Sequence, residues 1–94
     1  MKERLENLSK ASYRPEFRET YSELKEQVQD KVDSAIVELV ENYITQPWNH
    51  EDVRYLPSKG EVWRLKVGNR GKKTDHRVFL DIEEDGLVFL SVKH

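Results

Sequence analysis

No cysteine occurs in the chain, which removes disulfides, zinc–thiolate centres and thiol nucleophiles from consideration. The three histidines, His50, His76 and His94, stand far apart without ligand spacing, so neither a metal site nor any other cofactor is expected. Apolar runs are short: Ala35-Ile36-Val37 is cut by Glu38, and nothing approaches the length of a membrane span or a signal-peptide core. A cytoplasmic protein with no membrane partner is the expectation. Glycine and proline are scarce, at four and three residues, and none of them lies between Glu16 and Gln46. That stretch is therefore free of the usual helix breakers.

What is present bounds the rest. Ninety-four residues make one domain, 1–94, because chains of this size bury only about 60–70% of their unfolded surface and have no apolar material for a second core. Hydrophobic and charged residues each make up 36%, but two Trp, four Tyr and three Phe concentrate burial in large side chains, which favours a small folded domain over a disordered segment. The net charge of -2 conceals an asymmetry. Residues 1–53 carry seven Lys/Arg against twelve Asp/Glu, whereas residues 54–94 carry nine against six. Between Lys59 and Arg77 the balance is seven basic to two acidic, so the positive field is centred there.

Three runs in that half alternate apolar residues at every second position: Val62–Val67, His76–Glu83 and Leu87–Val92. This is the period of half-buried strands. The first two are joined by a loop from Gly68 to Asp75, and the last two by Glu84-Asp85-Gly86, whose Asp-Gly pair suits a tight turn with positive φ. Two hairpins make an antiparallel meander. Strict alternation puts Trp63, Leu65 and Val67, then Val78, Leu80 and Ile82, then Val88, Leu90 and Val92 on a core face. The other face collects Arg64 and Lys66, then Arg77, Phe79 and Asp81, then Phe89, Ser91 and Lys93. Cations interleaved with aromatic rings suit a polyanion. The plainer alternative is a solvated face on which Asp81 and Glu83 partner the cations for about 0–1 kcal/mol per pair.

The acidic half reads as helix. Met1 to Lys10 has Leu5 and Leu8 as its large apolar residues besides Met1 and is expected to be a frayed helical turn or a mobile tail. Ser9 to Arg14 reads as a short edge strand. Pro15 then starts a helix whose apolar stripe runs Phe17, Tyr21, Leu24, Val28, Val32, Ile36, Leu39 and Tyr43. A straight helix from Pro15 to Ile44 would be about 45 Å long, whereas a domain of this size is roughly 30 Å across. A break is expected near Lys25 to Gln27. Pro47 ends the second helix, Trp48 is expected to fold back onto the core, and Val53 to Leu56 reads as a short extended piece. The predicted fold is α+β: a single small domain with an N-terminal helical hairpin on a three- to four-stranded antiparallel sheet.

The segments Leu56–Gly68, Asp75–Ile82 and Leu87–His94, with the Pro15-Glu16-Phe17 helix opening, together resemble the RelE/ParE superfamily of toxins from type II toxin–antitoxin systems. The resemblance covers residues 13–94 in the order of elements: a first strand, a helical hairpin and a three-stranded meander. It implies one of two activities. RelE-type members are ribosome-dependent endoribonucleases that cut mRNA without a metal ion, and ParE-type members poison DNA gyrase. A catalytically inactive binding protein of the same fold is a further alternative. The resemblance also implies a cognate acidic antitoxin as partner, alongside the ribosome and mRNA.

Under the RelE-type reading, Arg64 and Lys66 match basic residues of the first meander strand and Arg77 an arginine of the next. RelE-type chains usually continue past the position of His94 with a further basic residue and often a tyrosine, tasks that would fall here to Lys93 and His94. The reaction implied is attack of a 2′-hydroxyl on its adjacent phosphate, with Arg64 and Arg77 holding the phosphate, since arginine keeps its proton. Lys66 is the expected proton acceptor and His94 the second choice. Arg70, Lys72 and Lys73 would contact RNA backbone, Phe79 and Phe89 would stack on bases or lie under an antitoxin segment, and Lys93 would complete the RNA-binding set. His76 is expected on the core side as a neutral imidazole bonded to the backbone.

Overall fold

The computed structural model describes residues 1–69 and 72–94, without the side chains of Asn69, Lys72 and Lys73. Its elements run α1 (Glu3–Glu6), β1 (Ala11–Tyr13), α2 (Pro15–Ser22), α3 (Glu26–Tyr43), β2 (Val53–Leu56), β3 (Val62–Asn69), β4 (Lys72–Glu83) and β5 (Gly86–Lys93), with 3-10 turns at Pro47–Asn49 and Pro57–Lys59. The architecture is α+β. The molecule measures 30 × 27 × 24 Å, which a single 45 Å helix would overrun. The helical stripe is accordingly broken at Glu23 to Lys25, slightly before the expected place, with Lys25 in an extended conformation. Gln29 donates a 2.9 Å hydrogen bond to the carbonyl of Tyr21, holding the two helices together at the break.

The sheet has five strands in the order β1-β5-β4-β3-β2. It is mixed: β1 runs parallel to β5, and all other neighbours are antiparallel. The expected three or four antiparallel strands are therefore corrected by two short edge strands, one from each flank of the helices. Ala11–Tyr13 joins the far edge because the Leu87 amide donates to the Lys10 carbonyl and the Arg14 amide to the Phe89 carbonyl. Val53–Leu56 pairs with Val62–Leu65.

Burial follows the alternation on β3 and β4, where Leu65, Val67, Val78 and Leu80 have no exposed surface. On β5 it does not. Glu83 pairs with Gly86, so only Glu84 and Asp85 form the turn, and Leu87 comes to lie opposite Ile82 and Phe89 opposite Leu80. Register then shifts between Phe79↔Ser91 and Leu80↔Phe89, leaving Leu90 as the extra residue of a bulge. Leu87, Phe89, Ser91 and Val92 are the buried residues of this strand, while Val88 and Leu90 are only half-buried. The expected assignment of Val88 and Leu90 to the core and Phe89 to the open face is reversed.

Phe89 enters an aromatic cluster that explains the packing of the N-terminal third. Its ring lies 5.6 Å from Tyr13 and 6.1 Å from Phe17, and Phe17 lies 5.8 Å from Tyr21. The Tyr13 hydroxyl donates a 2.7 Å hydrogen bond to the carbonyl of Leu5, itself without exposed surface. Glu3–Glu6 thus form a helical turn joined to β1 through Leu5. Trp48 also departs from expectation, being 50% exposed. Pro47, the first residue of its 3-10 turn, is buried instead, and His50 fills the space beside Tyr43, with ring centroids 4.8 Å apart.

Candidate nucleic-acid interface

The helices contact one side of the sheet, through α2 on β5 and α3 on β3. On β3, Arg64 and Lys66 alternate with buried Leu65 and Val67 and so occupy the other side. Register decides which residues join them. Lys66 lies directly opposite Arg77, and Arg77 directly opposite Lys93, so one row across three strands consists of Lys66, Arg77 and Lys93. Two residues along the strands, a second row reads Arg54, Arg64, Phe79 and Ser91.

The electrostatics of these rows is one-sided. Residues directly opposite in antiparallel strands have Cβ atoms about 4.5–5.5 Å apart, and like charges placed there repel. Lys93 approaches Glu16 at 3.8 Å, with both side chains more than half exposed, so that contact is worth little. Among the described residues, no carboxylate forms an ion pair with Arg54, Arg64, Lys66 or Arg77. The Arg77 guanidinium donates to the carbonyl of its neighbour His76 at 3.3 Å. The Nε of Arg64 is buried without a hydrogen-bond partner. Asp81 shares the face but belongs to the next row, opposite Val88.

Five of the residues expected in the site from sequence come together: Arg64, Lys66, Arg77, Phe79 and Lys93. Two do not. Phe89 has no exposed surface and cannot stack on a base. His94 follows Lys93 onto the opposite side of the strand, where its ring lies 4.7 Å from that of His76. Arg70 and the side chains of Lys72 and Lys73 lie outside the described residues. The residue that sequence reasoning missed is Arg54. Its signal was available, since Val53-Arg54-Tyr55-Leu56 carries the same alternation as β3.

The imidazoles are placed for other tasks. Burial, and secondarily the neighbouring His94, pushes His76 below the ordinary histidine pKa, and its Nδ1 is buried without the backbone hydrogen bond expected for it. At His50, Nδ1 accepts from the Asp52 amide at 3.0 Å, so the proton sits on Nε2, which donates to Glu38 at 2.9 Å. Both of its nitrogens are thus engaged in pinning α3 to the segment before β2, which leaves none for proton transfer.

Among the described residues, no helix is long and apolar enough to cross a membrane, and no group of three or more His, Asp or Glu side chains is arranged to hold a metal ion. No family model and no curated protein matches this sequence.

Proposed function

We propose that this protein is the toxin of a type II toxin–antitoxin pair, a RelE-type endoribonuclease that cuts mRNA on the ribosome. The observation that carries the reading is the row of Lys66, Arg77 and Lys93 beside Arg64, held on rigid strands, in which Arg64, Lys66 and Arg77 have no carboxylate partner among the described residues. The order of strand, two helices and meander agrees with it. A folded domain gains nothing from cations set opposite one another, whereas a phosphodiester with charge developing on its oxygens does.

In this mechanism Lys66 in its amine form takes the proton of the 2′-hydroxyl. The 2′-oxygen attacks the adjacent phosphorus, closing a 2′,3′-cyclic phosphate, and the bond to the 5′-oxygen breaks. Lys93 gives the departing oxygen a proton. Arg64 and Arg77 hold the non-bridging oxygens, for which the planar guanidinium fork is suited. The ribosome supplies the positioning that an open face lacks, and the chain acts in the cytoplasm. An acidic antitoxin segment would cover the same cations.

Inducing the gene is expected to arrest growth and to produce cuts within translated messages, and Arg77→Ala is expected to relieve both. Arrest with intact messages would overturn the nuclease reading. One observation favours the second reading, a ParE-like gyrase inhibitor or a binding protein without catalysis: the His94 ring lies against His76, away from the cations. Inhibition of gyrase supercoiling by the purified protein would select it.

A further inference from the structure

Arg54 stands on the edge strand β2, exposed, directly opposite Arg64. Two arginines facing each other across a strand pair repel, and neither has a carboxylate partner among the described residues. Arg64 also carries a buried Nε without a hydrogen-bond partner among the described residues. Stability accounts for neither feature. A bound anion between the two guanidinium groups accounts for the facing pair.

We infer that Arg54 extends the grip of Arg64 from the reacting phosphate to a second one, so that the face holds two successive phosphates of a single-stranded polynucleotide. The inference rests on the proposed reading in taking RNA as the ligand. The pair lies two residues along the strands from the row of Lys66, Arg77 and Lys93, a separation of about 6.4–6.8 Å at the rise of a β-strand. That is comparable with the distance between neighbouring phosphates along an extended strand.

Phe79 sits in the same row as Arg54 and Arg64 and is adjacent to Arg64. A half-buried ring beside both cation groups offers a platform for an unpaired base and has no use for a base already stacked in a duplex. The track also has an end. The next row along β4 carries Asp81, opposite Val88, so a third phosphate in that direction would meet a carboxylate and apolar side chains. Within the described rows the substrate class is therefore a single-stranded segment gripped over two phosphates, with Arg54 a positioning residue for the strand that Lys66 and Arg77 act on.

The test uses the full chain and labelled 2′-O-methyl RNA oligomers, which cannot be cleaved, carrying one, two, three or six phosphates. Binding is followed by fluorescence anisotropy over a range of salt. Affinity is expected to rise at least tenfold from one phosphate to two. Arg54→Ala is expected to lower two-phosphate affinity about tenfold and to reduce the slope of log affinity against log salt by about 0.7, the share of one contact on a single strand. Melting temperature should stay the same or rise slightly, as expected on removing one of two facing cations, and Arg54→Lys should restore the slope. An unchanged slope in Arg54→Ala, or equal affinity for duplex RNA, would overturn the inference even if the protein cleaves messages. A slope that falls as expected in a protein that cuts no message would keep the subsite and discard the nuclease.

Discussion

The hydroxyl of Tyr21 donates a 2.7 Å hydrogen bond to Asp33, a carboxylate with no exposed surface, and so joins α2 to α3 inside the core. Burial and the bond to Asp33 both push the tyrosine pKa up. The second oxygen of Asp33 has no hydrogen-bond partner, so the group depends heavily on this one bond. Tyr21→Phe is expected to destabilise the domain by about 1–3 kcal/mol in urea unfolding. Asp33→Ala should cost clearly less in the Tyr21→Phe background than in the native one, because the two share one interaction. Additive costs would contradict the coupling.

Lys66 and Arg77 repel across β3 and β4, and removing either should leave stability nearly unchanged or slightly higher. The expected gain for Lys66→Met or Arg77→Ala is about 0–0.5 kcal/mol at low salt. It should vanish in 0.5 M salt, where the screening length falls well below 10 Å. Urea midpoints at the two salt concentrations give the comparison. A large loss at either would mean that the cations are structural.

The two phenylalanines of β4 and β5 should behave oppositely. Phe89→Ala removes a fully buried ring from the aromatic cluster and is expected to cost about 3–5 kcal/mol. Phe79→Ala, on the open face, is expected to cost about 1 kcal/mol or less. Its effect should appear in binding of single-stranded RNA. Comparable losses of stability would place both rings in the core.

His76 should titrate below the ordinary value near 6.5, because burial and His94 both disfavour its charged form. A lowered pKa in the folded state means that the unfolded chain binds the proton more readily. The stabilising contribution is thus complete above about pH 6.5 and is lost as pH falls from there through the folded pKa. His94→Ala should move the His76 midpoint upward, as read from its ring proton resonances. A native midpoint at or above 6.5 would be inconsistent with this environment.

The sequence was most informative where period and parity act alone. Alternation on β3 and β4 placed Arg64, Lys66, Arg77 and Phe79 on one face, and the length of the uninterrupted helical stripe required a break within a domain of this size. It misled where one residue changes a register. A two-residue turn at Glu84-Asp85 combined with a bulge at Leu90 exchanged Phe89 for Val88 and Leu90 between the faces, and neither feature leaves a local composition signal. The parallel pairing of β1 with β5 was illegible for another reason: three residues, Ala11–Tyr13, are too few to show a period. Arg54 is not legible because four residues, Val53–Leu56, carry no sign of a partner strand that would tie their alternation to β3.

That parallel pairing governs when the domain can form. Thr20 on α2 accepts a hydrogen bond from the Val92 amide across 72 positions of chain, and Leu87 reaches back to Lys10. Gly86 is required at this junction, since a Cβ there would strike the Lys10 carbonyl and its φ is +153°. A chain emerging from a ribosome therefore exposes Tyr13, Phe17 and an unpaired strand edge until Gly86–Lys93 has followed. Contacts of such separation close slowly. During that delay the open edge is available to another polypeptide, and the speed of synthesis competes with association for the fate of each new molecule.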